Sequence, residues 1–165
     1  MENISRAIDA LNEKVGLYSS YLILPLVGAV IYEVFMRYVF NAPTSWGFEM
    51  TTFLYGMHFM LGLGDALRTN NHVCIDIFES KLPKNKRAVL RIITSLVLFI
   101  PAMGFMTYGA IKYAVTSWMM FEHASSSWGP AIYPYKTVMA IGFVLLFLAG
   151  ISKLLQDFHT LRSAN

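Results

Sequence analysis

A carboxylate and a guanidinium stand close together at the end of the first long apolar stretch of the chain. Residues 15–32 carry no charge, and Glu33 and Arg37 follow them four positions apart. A carboxylate within a membrane can carry protons and is a functional candidate by default. Residues at i and i+4 share one face of a helix, so Arg37 can pair with Glu33. The spacing therefore favours a paired, structural Glu33 over a proton-carrying one.

The histidines and the cysteine offer little further chemistry. His58 is the one histidine within a predicted span, whereas His72, His123 and His159 fall in predicted loops or the tail. A transmembrane haem commonly needs two facing histidines, so a hydrogen bond between helices or a position in a helix wall is the favoured role of His58. Cys74 stands alone, which excludes an internal disulfide. Without a phosphate-binding loop, nucleophile elbow or metalloprotease helix, no enzyme activity, metal site or cofactor is predicted.

The composition indicates which elements position these side chains. Of 165 residues, 56% are hydrophobic and 14% are charged, whereas soluble domains carry roughly 25% charged residues. A soluble core could not hide so much apolar surface, so the predicted class is an all-α integral membrane protein. A single domain over residues 1–165 is predicted, with four transmembrane helices at about 15–37, 48–67, 88–112 and 131–153.

Two shorter helices accompany these spans in the prediction. Apolar residues recur at helical spacing over residues 4–14, which predicts a short amphipathic helix. This helix either lies in the membrane interface or forms the first turns of the first span. Residues 65–91 are the longest polar connection and include a candidate interfacial helix. Pro25 lies inside the first span and requires a kink or a neighbouring helix there.

The distribution of cations predicts the orientation in the membrane. In this layout ten cations fall on one side and three, Arg37, Lys112 and Lys136, on the other. The positive-inside bias places both termini and the 65–91 loop in the cytoplasm, and residues 37–49 and 113–132 outside. Lys136 and Lys153 are predicted to snorkel at opposite ends of the last span. A formal charge of +3 at membrane edges gives no indication of a nucleic-acid partner.

Several motifs, taken in order, resemble the small, DctQ-like membrane subunit of tripartite ATP-independent periplasmic (TRAP) transporters. They are Arg37-Tyr-Val-Phe-Asn41, Trp46-x-x-Glu49, Gly62-x-Gly-Asp-Ala-Leu-Arg68-x-x-x-His72-Val-x-Ile-Asp76, Leu82-Pro83 with its basic run, and Tyr133-Pro134-Tyr135-Lys136. The resemblance covers nearly the whole chain and rests on the order and spacing of the motifs. Gly47-Phe48 departs from the pattern, because an extra acidic residue often precedes the glutamate in this family.

The resemblance implies a subunit of the bacterial inner membrane without a substrate site of its own. Its partner would be a large multispanning subunit that holds the sodium and substrate sites. A separate periplasmic binding protein would deliver an acidic solute, and an ion gradient would drive uptake. The small subunit would act as a scaffold that braces the large one and contacts membrane lipids.

Nine residues are the predicted structural or interface positions under this interpretation. Arg37, Trp46 and Glu49 are expected to fix the outer turn, with Glu33 beside Arg37. Arg68, His72 and Asp76 are expected to fix the inner loop, with Arg68–Asp76 as a candidate ion pair. Lys112 and Lys136 are expected to meet lipid phosphates, the partner or Glu122.

Two other classes of protein remain open at this point. A self-sufficient proton-coupled exporter also has four short helices and a membrane glutamate, which would be Glu33. The long basic inner loop and the Arg37 partner count against it. A membrane anchor of a respiratory complex would bind quinone or haem, and the scarcity of membrane histidines counts against haem.

Overall fold

Helices make up nearly all the regular structure in the described part of the chain. A computed structural model describes residues 2–69 and 84–163. The helices are α1 (Glu2–Ser20), α2 (Ile23–Tyr38), α3 (Gly47–Arg68), α4 (Lys84–Thr94), α5 (Ile100–Met119) and α6 (Tyr133–Ser163), with a π-helical turn (Ser95–Phe99) between α4 and α5. In these two ranges no β-strand forms, and the one bridge joins His123 to Ala131. The predicted all-α class is confirmed.

Helices α1 and α2 follow one another with a short interruption at Tyr21 and Leu22. Pro25 explains why the interruption occurs here, because proline has no N–H and the proline ring crowds the carbonyl four residues earlier. That carbonyl belongs to Tyr21, which instead accepts a bond of 3.2 Å from the N–H of Leu24. Two alternatives were open for residues 4–14, a separate interfacial helix or the first turns of the first span, and helix α1 runs through residue 14 to Ser20 without a break.

A second proline is accommodated by the π-helical turn. Pro101 lies in the first turn of α5, directly after this wider turn. The N–H of Ile100 bonds to the carbonyl of Ser95, five residues earlier, as a π-helix requires. The wider turn relieves the clash that the proline ring would make in a regular helix. Helices α4 and α5 therefore continue one another.

The helices pack around α6. Thr107 of α5 bonds to Phe143 of α6, and Trp118 bonds to Thr137, so these two helices are antiparallel. Helix α6 also contacts α1, α3 and α4, whereas α2 contacts chiefly α3 and has no buried residue. Close approach needs Gly142, where a Cβ atom would lie 2.7 Å from the carbonyl oxygen of Met60.

Three helical stretches in the described residues are long and apolar enough to cross a membrane. They are Ile4–Tyr38, Val89–Met119 and Tyr133–His159. Helix α3 has 22 residues, about 33 Å at the usual rise, but Glu49, His58, Asp65 and Arg68 make it more polar. Three membrane-spanning candidates are therefore found where four were predicted, and a crossing by α3 stays a prediction.

Candidate functional site

Glu33 is the centre of the turn that joins α2 to α3. Nη2 of Arg37 lies 2.6 Å from Oε1 of Glu33, so the pair indicated by the i, i+4 spacing is present. The other carboxylate oxygen, Oε2, accepts a 3.2 Å bond from the N–H of Thr44 and a bond from its hydroxyl. The Glu33 side chain is 12% exposed, whereas that of Arg37 is 52% exposed. Both carboxylate oxygens are therefore engaged.

Thr44 and Gly47 complete this arrangement, which we call the Glu33 cluster (Glu33, Arg37, Thr44 and Gly47). The N–H of Gly47 donates to the hydroxyl of Thr44 over 3.1 Å, which satisfies a free donor at the start of α3. A Cβ atom at residue 47 would lie 2.5 Å from Oε2 of Glu33, so the cluster needs glycine there. The ring of Trp46 stacks on Tyr32 with centroids 5.7 Å apart. The turn is thus held by polar and aromatic contacts together.

Glu49 takes no part in the Glu33 cluster. It lies in the first turn of α3, where the helix dipole favours a carboxylate. Its Oε2 atom is buried and has no hydrogen-bond partner among the described residues. The carboxylate that pairs with Arg37 is Glu33.

A second cluster lies at the same end of the bundle, between α5 and α6. Lys136 pairs with Oε2 of Glu122, and the hydroxyl of Ser117 donates to that oxygen over 2.7 Å. The ammonium of Lys136 also lies 3.8 Å from the centre of the Tyr113 ring, which adds a cation–π contact. These four residues are the Glu122 cluster. Hydrogen bonds from Lys136 and then Ser117 hold the pKa of Glu122 below its ordinary value.

Burial corrects one prediction for Lys136. It is only 6% exposed, so it does not snorkel to the interface. Because a carboxylate, a hydroxyl and an aromatic ring surround it, the ammonium is satisfied inside the protein. Of the partners considered for Lys136, the structure shows Glu122. Lys112 is exposed, and no carboxylate in the described part of the chain pairs with it.

The opposite end of the bundle carries Arg68. Its Nε donates to Oδ1 of Asp65 over 2.8 Å, and its Nη1 lies 3.5 Å from Oε2 of Glu13. The hydrogen bond to Asp65 raises the pKa of Arg68 above its ordinary value. His72 and Asp76 lie outside the described residues, as do the candidate Arg68–Asp76 pair and most of the 65–91 loop with its candidate helix.

Sequence reasoning missed a polar contact between α1 and α6, the serine cluster (Ser5, Asp9, Ser152 and Gln156). The hydroxyls of Ser5 and Ser152 lie 2.7 Å apart, and Ser152 donates to Oδ1 of Asp9 over 2.7 Å. Gln156 donates to the other oxygen of Asp9 over 2.8 Å. Ser152 has no exposed surface. The available signal was two pairs of polar residues, each four positions apart and so on one helix face.

His58 makes an interhelical hydrogen bond, which was one of the two roles favoured for it. Its Nδ1 atom lies 2.8 Å from the carbonyl oxygen of Ser19, close to the interruption between α1 and α2. Because a carbonyl only accepts, Nδ1 carries the proton of this bond. Across the described residues, no group of three or more metal-binding side chains comes together.

These features define the class of the protein as a small helical membrane protein whose polar side chains join its helices. A family model for tripartite ATP-independent periplasmic transporters, DctQ component, matches residues 26–160. The chain therefore belongs to this family, as its motifs indicated. Members are transporter subunits rather than enzymes, and with the apolar helices this indicates a multi-pass protein of the inner membrane.

Individual relatives agree with this assignment. The chain is 28% identical over 90 residues to the sialic acid TRAP transporter small permease protein SiaQ of Vibrio cholerae, covering 54% of this chain and 49% of that protein. It is 32% identical over 79 residues to a putative TRAP transporter small permease protein of Haemophilus influenzae, covering 47% and 49%. The sialic acid TRAP transporter permease protein SiaT of H. influenzae is 28% identical over 102 residues, covering 62% and 16%. The matches thus span at most about half the length of these relatives.

Proposed function

We propose that this chain is the scaffold subunit of a TRAP transporter, which braces a large transport subunit and has no substrate site of its own. One observation carries the proposal: the main polar clusters in the described helices join one helix or turn to another. Glu33 holds the turn between α2 and α3, Lys136 holds α6 to the loop after α5, and Ser152 holds α6 to α1. Such contacts make the helical unit rigid, which is what a scaffold requires.

The comparisons support a large membrane partner. The match to SiaT of H. influenzae covers only 16% of that protein, so most of that permease lies outside the similar segment. We propose that a separate large subunit corresponds to the part of SiaT outside the matched segment, and that this subunit contains the substrate and sodium sites. A periplasmic binding protein delivers an organic acid to it, and the ion gradient drives uptake.

The positive-inside bias supports an orientation with both termini in the cytoplasm. The turn between α2 and α3 and the loop after α5 then face the periplasm. Arg37 uses one side of its guanidinium for Glu33 and remains 52% exposed. We propose that it contacts the large subunit there, together with Trp46 and Glu49, while Arg68, His72 and Asp76 act at the cytoplasmic end.

The contacts of Glu33 count against the exporter alternative, and the number of membrane histidines counts against the haem alternative. A proton-coupled exporter needs a carboxylate that binds and releases protons freely, but Glu33 accepts three hydrogen bonds. A haem-binding anchor commonly needs two facing histidines in the membrane, and His58 is the one histidine within the predicted spans. Transport by the purified chain alone in liposomes tests the exporter alternative, because transport that is lost in Glu33→Gln would identify a proton-coupled exporter.

Co-purification tests the scaffold proposal. The tagged chain is extracted from its native membrane in mild detergent, and a much larger multispanning protein is expected to travel with it. We expect Arg37→Gln to reduce this recovery while leaving membrane insertion intact. Lys14→Gln is the matched control, because it removes an exposed cation from α1, the helix that precedes α2 and lies further from the turn. Equal recovery with Arg37→Gln would remove the interface role of Arg37, and purification of the chain alone would contradict the scaffold role.

A further inference from the structure

Helices α1, α5 and α6 border an apolar groove of about 480 Å³. Its lining includes Leu11 of α1, Ile111, Val115 and Trp118 of α5, and Ile141 and Val144 of α6. Leu11, Ile111, Val115, Trp118 and Ile141 each keep about half of their surface exposed, so the groove opens to the surroundings of the bundle. The indole N–H of Trp118 donates to Thr137 over 2.7 Å, which fixes one wall.

An exposed cation flanks this groove. Lys112 is the immediate neighbour of Ile111 and lies three positions before Val115, so it stands beside the groove on α5. The stretch Val89–Met119 has 31 residues, about 46 Å of helix, against a hydrocarbon core of about 30 Å. Lys112 comes seven residues before Met119, about 10 Å from that end. A centred span therefore places Lys112 at the hydrocarbon boundary.

The other two cations at this end of the bundle are already neutralised. Arg37 pairs with Glu33, and Lys136 pairs with Glu122. A second apolar groove of about 490 Å³ runs between α2 and α3, lined by residues that include Ile31 and Tyr55. The cation nearest to it in sequence is Arg37, which is paired. Lys112 is thus the one cation among the described residues at this end without a carboxylate partner.

We propose that this groove is a site for an anionic phospholipid of the outer leaflet. The lipid phosphate pairs with the Lys112 ammonium, and an acyl chain lies along the groove between α5 and α6. The phosphate supplies the countercharge that the described residues do not provide for Lys112, and charge-assisted bonds of this type are strong. The acyl chain covers apolar side chains that the neighbouring helices leave open. Because the site binds both the lipid headgroup and an acyl chain, it selects a phospholipid over a free anion.

Native mass spectrometry of the full purified chain tests the proposal, with phosphatidylglycerol and phosphatidylcholine added separately at equal concentration. The wild type is expected to retain one phosphatidylglycerol in preference to phosphatidylcholine. Lys112→Gln is expected to weaken phosphatidylglycerol binding about fivefold, the usual effect of one lysine near an anionic headgroup. Lys112→Arg keeps the charge. Its affinity for phosphatidylglycerol is expected to stay within about twofold of the wild type, a smaller change than that expected for Lys112→Gln.

A pair of matched substitutions tests the groove. Ile141→Trp fills it and is expected to reduce lipid retention, whereas Ile31→Trp fills the groove between α2 and α3 and is expected to have no effect. Binding of phosphatidylglycerol by Lys112→Gln at wild-type strength would overturn the proposal and assign Lys112 to another partner. Equal losses in Lys112→Gln and Lys112→Arg would also overturn it, as would equal losses in the two tryptophan variants.

Discussion

Glu33 and Thr44 are joined across the turn between α2 and α3 by two hydrogen bonds to a single carboxylate oxygen. The backbone N–H of Thr44 donates over 3.2 Å, and its hydroxyl donates to the same atom, Oε2. Because the Thr44 hydroxyl also accepts a hydrogen bond from the N–H of Gly47, the Glu33 carboxylate is linked to the first turn of α3. The direction in which α3 leaves the turn therefore depends on Glu33.

Gly47→Ala is expected to destabilise the protein. The new methyl group would lie 2.5 Å from Oε2 of Glu33 and would push the carboxylate away from Thr44. Overpacking of this kind costs about 1–3 kcal/mol, measurable by unfolding in mixed micelles. Gly28→Ala is the matched control, because a Cβ atom there meets nothing within 4 Å. Equal stability of the two variants would show that the Glu33 cluster does not need glycine at position 47.

Thr44→Val is expected to loosen the turn without changing the size of the side chain. Valine lacks the hydroxyl that donates to Glu33 and accepts from Gly47. Hydrogen–deuterium exchange should rise in the first turn of α3, because the N–H of Gly47 loses its partner. Thr51→Val serves as the control, since the Thr51 hydroxyl bonds only to carbonyls of its own helix. Unchanged exchange in Thr44→Val would argue against this capping role.

The Glu122 cluster predicts a dependence of stability on acid pH. The pKa of Glu122 is lowered in the folded protein, so its contribution is present above the ordinary glutamate pKa and is lost as pH falls through the folded value. The melting temperature of the wild type should therefore exceed that of Glu122→Gln by a constant margin at neutral pH. This margin should shrink only below about pH 4.5. A margin that disappears near pH 6 would contradict the assignment.

His58→Phe is expected to destabilise the contact between α1 and α3. It leaves the Ser19 carbonyl without its side-chain donor near the interruption between α1 and α2. Interhelical hydrogen bonds in membranes contribute about 0.6 kcal/mol on average and up to about 1.7 kcal/mol. His58→Gln retains a donor and should recover part of this free energy of unfolding. If both variants unfold like the wild type, the bond makes no net contribution.

Ser152→Ala is expected to weaken the packing of α1 on α6. It removes the hydroxyl that donates to Asp9 and bonds Ser5, in a position with no exposed surface. A loss of about 1–3 kcal/mol is the usual result when buried polar partners are left unsatisfied. The comparison is Ser20→Ala, because the exposed Ser20 hydroxyl bonds only to its own helix. Equal melting temperatures of the two variants would contradict a role for the serine cluster.

Local spacing predicted the short-range contacts of this chain well. The Glu33–Arg37 pair follows from residues four positions apart, and the Pro25 interruption follows from a missing N–H. A bond from His58 to another helix was one of the two roles favoured for it, because no second histidine lies in a predicted span. The Ser19 carbonyl could not be named in advance, since it depends on how α1 and α3 pack.

Contacts between segments far apart in the chain could not be predicted from the sequence. Ser5 and Ser152 are 147 positions apart, and nothing local indicates that their helices meet. Lys136 was expected to reach the interface, but the loop after α5 brings Glu122 back to it and buries the ammonium. Helix α3 was predicted as the second of four spans, and its polar residues keep it outside the three stretches that are apolar enough to cross a membrane.

The most direct test of the scaffold role is uptake by proteoliposomes under a sodium gradient. Vesicles contain this chain alone, the co-purified large subunit alone, or both, with the substrate-loaded binding protein outside. Uptake is expected only when both membrane proteins are present, and Glu33→Gln should act only through the amount of complex formed. Uptake of the organic acid by the chain alone would contradict the central claim.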